Sequence, residues 1–284
     1  MIFVNIHLHP LLLLLILLSL LTGTFIQLFI ILFIVLIHEL GHYLAATYYK
    51  WRIDYIMLWV FGGVMKTDES SHRSIKEECI VTLAGPFQHI ILFFVLTGLS
   101  VCQLLPEPIL QQAHYYNGII LMFNLLPIYP LDGGKFLLLI QSAFTPYYVA
   151  TRRIFYLSMF LCFALMVMQL MFFPFTVSAF ALCLFLLLEN YRALKEHYYS
   201  FIRFLLSRMD PSARKRMEQK SVQEDALLMD VFKQFRRNRM YRIRVQRKLV
   251  PSSVVTEQYC LHAYFTKKQI TATMGEVIEI KENE

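Results

Sequence analysis

Apolar runs of bilayer length follow one another along most of this chain, and they limit its fold more than any other feature. A membrane interior offers no water to an unpaired backbone group, so such runs cross as helices. Runs at 6–22, 25–48, 78–104, 114–140, 153–172 and 175–192 reach or approach the ~20 residues a crossing requires. Composition agrees, with 57% hydrophobic residues and a mean hydropathy of +0.51, well above soluble domains. The first run lacks a basic leader and a small-residue exit, so it reads as a span and not as a cleaved signal. The expected fold is therefore a polytopic α-helical membrane protein of about six transmembrane helices.

Charge orients the spans. Lys50, Arg52, Lys66, Arg73 and Lys76 follow the second, Arg152 and Arg153 precede the fifth, and Arg192 and Lys195 end the sixth. The connections at 106–116 and 171–176 carry neither Lys nor Arg, which predicts both termini on the cytoplasmic side. Net charge is +7 but uneven: up to Tyr191 there are 8 basic against 9 acidic residues, and 19 against 11 beyond. A basic tail suits anionic headgroups or an acidic partner. The five cysteines are scattered without a C-x-x-C pair and read as packing residues.

The segment "DYIMLWVFGGVM" at 54–65 is apolar, too short to cross, and broken by Gly62 and Gly63, so a re-entrant strand or hairpin is expected there. Beyond the last span, 197–220 reads as a linker and 221–284 as a small cytoplasmic α+β domain, leaving 1–196 for the membrane domain. Ser221 and Glu224 form a capping-box pattern ahead of an apolar stripe of Leu227, Leu228, Val231, Phe232 and Phe235. "YRIRVQR" at 241–247 alternates as a half-buried strand does, and a second short helix is expected near 256–265.

Within the second run stands "IVLIHELGHYLAA" (34–46), with three ionisable side chains at a depth where each costs several kcal/mol on some scales. Four residues apart on a helix, His38 and His42 project about 40° from one another and share a face. This is the H-E-x-x-H arrangement: two imidazoles hold Zn²⁺ and the adjacent Glu39 takes a proton from water. A hydrolytic zinc site usually has three protein ligands. Asp132, in "NLLPIYPLDGG" (124–134), is the best third candidate, since His42 lies about 10 Å and Asp132 about 12 Å from the cytoplasmic ends of their runs at ~1.5 Å per residue. Pro127, Pro130, Gly133 and Gly134 disfavour an ordinary helix there and imply a wet cavity.

"HELGH", "FGGV", "AGP" (84–86) and "NLLPIYPLDGG", in this order, resemble the site-2 protease family of intramembrane zinc metalloproteases. The resemblance implies one Zn²⁺ held by His38, His42 and Asp132, Glu39 as catalytic base, and Asn124 with Pro127 engaging substrate. The 54–65 segment is a candidate strand edge for the substrate, with Phe61, Gly62 and Gly63 as contacts. The third run departs from the family at Gln88 and His89, where Asn is frequent, and His89 reads as an interhelical packing residue. The tail resembles a single degenerate cystathionine-beta-synthase (CBS) domain, which implies ATP or another adenine nucleotide as a regulator. Length, spans and tail are similar to family members that mature a sigma-factor precursor during sporulation, at the forespore outer membrane facing the mother cell. Expected partners are the bilayer, a protein substrate, membrane-protein inhibitors or activators and, as an open case, a second copy in a homo-oligomer, with no nucleic acid. Alternatives are another membrane substrate such as an anti-sigma factor, or a metal-binding or transport protein without proteolysis. Transport would place polar residues along several spans, yet 153–188 has almost none.

Overall fold

The computed structural model describes residues 5–8, 10–53, 55–59, 62–66, 73–172, 176–209, 216–246 and 253–283. It divides into two compact units, Met1–Phe136 and Leu137–Glu284. In the first, β1 (Asn5–Leu8) precedes α1 (Pro10–Thr22) and α2 (Phe25–Tyr48); β2 (Tyr55–Trp59) and β3 (Gly62–Lys66) lead to α3 (Ile75–Val101), α4 (Glu107–Leu125) and the start of α5 (Asp132–Phe144). The second continues from α5 into α6 (Tyr147–Phe172), α7 (Val177–Lys195) and α8 (His197–Ser207). It closes with β4 (Arg216–Gln223), α9 (Leu228–Phe232), β5 (Arg239–Gln246), β6 (Ser253–Thr256), α10 (Glu257–Phe265) and α11 (Met274–Asn283).

Four helices among the described residues are long and apolar enough to cross a membrane: α2, α3, α6 and α7. Two expected spans take other forms. The run at 6–22 begins as β1, where "NIHLH" alternates in polarity, and turns helical at Pro10, whose fixed φ suits a first helical turn. The run at 114–140 is split, because Pro127 and Pro130 have no N–H to continue a helix. The helix α4 ends at Leu125, and the bond from Lys135 N to Leu131 O (2.9 Å) opens α5. Its start at Glu107 also turns most of the expected 106–116 connection into helix, with Leu110 and Ala113 buried.

Local chemistry sets the remaining boundaries. Ser74 caps α3 through its hydroxyl, which accepts from Glu77 N at 3.3 Å and donates to Glu77 Oε1 at 3.0 Å, so the helix begins three residues before the apolar run. Lys50, at φ 57°, ends α2 in the left-handed region. Trp51 N then bonds Ala46 O at 2.9 Å, and the indole packs on Ala46 and Val81, the hydrophobic contact that accompanies such a cap.

Ile30 and Ile34 of α2, Leu92 and Leu96 of α3, and Leu110 and Ala113 of α4 form the core of the first unit. Phe29 and Phe94 are each 68% exposed, which in a membrane helix marks the faces given to lipid. The expected hairpin is present: β3 pairs antiparallel with β2, β1 pairs parallel with β2, and the order is β1-β2-β3. Asp54, Val60 and Phe61 lie outside the described residues, whereas Gly62 and Gly63 begin β3, which packs against α2.

In the second unit α6 packs on α7, and α8 joins the core of a small module whose sheet has the order β4-β5-β6. Tyr241, Ile243 and Val245 are buried while Arg242 and Arg244 are exposed, as the alternation predicts. Two expectations are corrected here. Ser221 does not cap a helix: it lies in β4, paired in register with Arg244 of β5. The helical part of its apolar stripe is the five-residue α9, because the strand extends to Gln223. The 197–220 stretch also holds more structure than a linker, since Phe201, Phe204 and Leu205 of α8 are fully buried in the module core and Tyr147 stacks on Phe204 at 4.4 Å.

Candidate metal centre and active site

The helix α2 carries His38, Glu39 and His42 on its inward side, all buried. Helical spacing explains the pair of histidines; what lets them approach α3 is glycine. A Cβ on Gly85 would lie 2.3 Å from His42 Nε2 and 2.8 Å from His38 Cε1, and one on Gly41 would lie 2.4 Å from Ala84 O. Any side chain at Gly85 would occupy the space of the imidazoles. The "AGP" motif is therefore a seat for the two rings.

Asp132 enters from the first turn of α5. Its position depends on Gly133 and Gly134, where a Cβ would come within 2.2 Å of Leu125 O and 2.4 Å of the Ile128 carbonyl carbon. The paired glycines let the first turn of α5 lie on the backbone that breaks the fourth run. Asp132 Oδ2 then sits 3.1 Å from His38 Nε2 and 3.0 Å from His42 Nε2, and the two nitrogens are 3.0 Å apart. The three atoms form a nearly equilateral triangle.

His42 Nδ1 lies 2.8 Å from Val81 O. A carbonyl only accepts, so Nδ1 donates, and in the neutral ring Nε2 carries the lone pair. His38 Nδ1 lies 3.0 Å from His89 Nε2. The second carboxylate oxygen, Oδ1, is held by Lys135 Nζ at 3.2 Å, which reserves Oδ2 for the triangle. A converging set of this kind needs positive charge at its centre: one proton serves a single pair, while a divalent cation serves all three. Tetrahedral zinc with bonds of about 2.0–2.1 Å spaces its ligand atoms by about 3.3 Å. The observed triangle reaches that spacing by widening a few tenths of an ångström, so two imidazoles and one carboxylate fit zinc and leave a fourth position for water. Glu39 belongs to the same cluster, with a carboxylate oxygen within 4.8 Å of the histidine nitrogens. Among the described residues this His38–Glu39–His42 group is the one acid, histidine and cysteine cluster with metal-ligand spacing.

The other expected site residues are placed less tightly. Asn124 lies in the last turn of α4, where its amide donates to Ile120 O at 3.0 Å, and Pro127 is exposed in the break that follows. Gly62 and Gly63 contribute backbone to β3, opposite Trp59 and Leu58. Two further residues touch the centre indirectly: His89, which the sequence singles out only as an interhelical packing residue, and Asn117, which reading the sequence missed. The signal that could have found their role is a polar side chain within an apolar helix, His89 being four residues from Gly85 and so on the same face of α3.

A membrane helix with a converging His, His and Asp beside a glutamate defines a membrane-embedded metallopeptidase. Comparison with known proteins agrees. Residues 26–112 match Peptidase family M50. The chain is 35% identical over 276 residues to Stage IV sporulation protein FB of Bacillus subtilis, covering 96% of both chains. It is 32% identical over 119 residues to Zinc metalloprotease MJ0392 of Methanocaldococcus jannaschii, 41% of this chain and 34% of that one. The solved Site-2 Protease from Methanocaldococcus jannaschii is similar in structure, with a TM-score of 0.54, 25% identity, and coverage of 68% of this chain and 92% of that chain. The chain belongs to Peptidase family M50, the site-2 proteases: intramembrane metalloproteases for which zinc is the implied metal.

Proposed function

We propose that this protease removes the N-terminal pro-segment of a membrane-associated sigma-factor precursor, near the cytoplasmic face, during sporulation. The catalytic part of this reading is carried by one observation, the triangle of His38 Nε2, His42 Nε2 and Asp132 Oδ2 beside Glu39. The substrate part is supported by the similarity along nearly the whole chain to Stage IV sporulation protein FB. His38, His42 and Asp132 are the metal ligands and Glu39 is the catalytic base. Bound zinc supplies Lewis acidity, which brings the pKa of a water toward 7 and polarises a carbonyl. Glu39 accepts the water proton and returns it to the leaving amine. A helical substrate hides its carbonyls in its own hydrogen bonds, so it must be extended to react. The outer edge of β3, next to α2, offers backbone groups for an added strand, with Gly62 and Gly63 at its entry and Asn124 and Pro127 as further contacts.

Around this centre we infer six crossings, with both termini and the tail in the cytoplasm, and a CBS-like module in the region of 221–284. What supports the module is its element order β4-α9-β5-β6-α10, with β4 parallel and β6 antiparallel to β5. Adenine-nucleotide control through the module follows from the same reading.

Co-expression of the wild type, Glu39→Gln and Asp132→Asn with a precursor bearing its pro-segment tests the proposal on a gel. Shortened product from wild type alone is expected. Cleavage by Glu39→Gln at the wild-type rate would remove the assigned base, and no cleavage by a zinc-loaded wild type would remove the assigned substrate.

A further inference from the structure

We propose that His89 and Asn117 are positioning residues for His38: a directed hydrogen-bond relay running from α4 through α3 to the metal-facing nitrogen on α2. The inference rests on His38 being a metal ligand. It concerns a different pair of side chains, neither of which reaches the metal.

The relay has a direction because one end of it is backbone. Asn117 Nδ2 lies 2.9 Å from His89 O, which can only accept, so the amide nitrogen faces that carbonyl. The amide oxygen is then the atom 2.8 Å from His89 Nδ1, and Nδ1 must donate to it. A neutral imidazole that donates at Nδ1 accepts at Nε2. His89 Nε2 therefore accepts from His38 Nδ1–H at 3.0 Å, which leaves the lone pair of His38 on Nε2, 3.1 Å from Asp132 Oδ2. Asn117 thus decides, two side chains away, which nitrogen of His38 is free to bind.

The relay is also closed off from competitors. His89 and Asn117 are buried, so no solvent offers an alternative partner for either ring nitrogen. The two anchors differ in kind: His42 is set by a backbone carbonyl, Val81 O at 2.8 Å, and is independent of any side chain, whereas His38 depends on two. Second partners of metal-bound histidines typically change affinity by about 10–100-fold when removed. His38 is accordingly the ligand that substitution can detune without altering the ligand set itself.

The test measures zinc affinity of the purified full-length chain in detergent, by competition with a chromophoric chelator, alongside the melting temperature of the zinc-free chain. His89→Leu removes the acceptor and should weaken zinc binding by about 10–100-fold. His89→Gln places an amide oxygen near the lost Nε2 and should recover affinity to within about three-fold, a rescue that packing alone would not produce. Asn117→Ala keeps His89 but frees its ring, and should weaken binding by about three- to ten-fold; it decides the case if His89→Leu does not fold. A zinc affinity unchanged in the folded His89→Leu or Asn117→Ala chain overturns the relay, as does a His89→Gln chain no tighter than His89→Leu. Wild type that binds no more zinc than His42→Ala would instead overturn the metal centre on which the relay rests.

Discussion

Each unit of this protein buries a polar cluster, and the two are completed in opposite ways. In the second unit the Arg208 guanidinium grips Glu257 through two nitrogens, with Nη2 to Oε2 at 2.8 Å, and its remaining donors reach the carbonyls of Arg236, at 2.9 Å, and Arg239. Glu257 Oε2 also accepts from Tyr241 N at 2.9 Å. Donors there meet acceptors, opposite charges meet, and the cluster closes on protein atoms alone. In the first unit His38, His42 and Asp132 bring three acceptor atoms together, while the donor nitrogens of the two rings are turned outward to Val81 O and His89 Nε2, and Lys135 donates to the other carboxylate oxygen, Oδ1. Burial is the same in both places; only the first leaves its electrostatics for a cation to complete. A buried polar cluster is thus functional or structural according to where its donors point.

The comparison can be broken most sharply at a ligand. His42→Ala should abolish both bound zinc and cleavage, because two donors do not hold a hydrolytic zinc; metal analysis of the purified chain with a product gel checks this. Arg208→Ala should destabilise the module by about 3–5 kcal/mol, since it strands a buried carboxylate. Hydrogen exchange along β5 reads the loss. An apolar pair at 208 and 257 should recover part of it and no more, because Tyr241 N–H and the two carbonyls still lose their partner. No comparable rescue is expected for an apolar replacement of the His38, His42 and Asp132 triangle, which would keep the fold and lose the proposed chemistry.

Gly85→Ala sharpens the comparison at a residue that carries no charge. The new methyl would fall 2.3 Å from His42 Nε2, so the ring must move. Overpacking of about 1–3 kcal/mol and a matching loss of zinc affinity are expected, measured by chelator competition. The smallest effect concerns the cysteines. Burial pushes the Cys260 thiol up to about 12, while Cys102 lies exposed at the end of α3. At pH 8 a maleimide should label Cys102 readily and Cys260 only after the module unfolds, as peptide mass spectrometry would show.

Much of the first cluster is legible in the sequence. The helix period alone puts His38 and His42 on one face, and their depth in an apolar run makes an idle role expensive. Asp132 was legible as a candidate because few carboxylates stand at membrane depth, and its neighbours Pro127, Pro130, Gly133 and Gly134 announced irregular backbone. The tail was legible where alternation is strict, at Tyr241 to Gln246, and misread at Ser221, where a capping pattern lies inside a strand. Parallel pairing with β5 outweighed a local preference for a helix start, since eight residues of ladder stabilise more than one cap.

What the sequence determined by itself is therefore everything that a local period or a scarce residue type can encode: membrane helices, the shared face of His38 and His42 on α2, the identity of the third acidic candidate, and the strand β5. What only the tertiary structure decided is how these pieces meet across tens of residues. Gly85 seats the imidazoles, Gly133 and Gly134 let Asp132 approach, α8 enters the module core, and Asn117 orients His38 by way of His89. The reason is physical. A period is set by the backbone geometry of one element, but the direction of a hydrogen bond, and the room for a ring, exist only once two elements have packed.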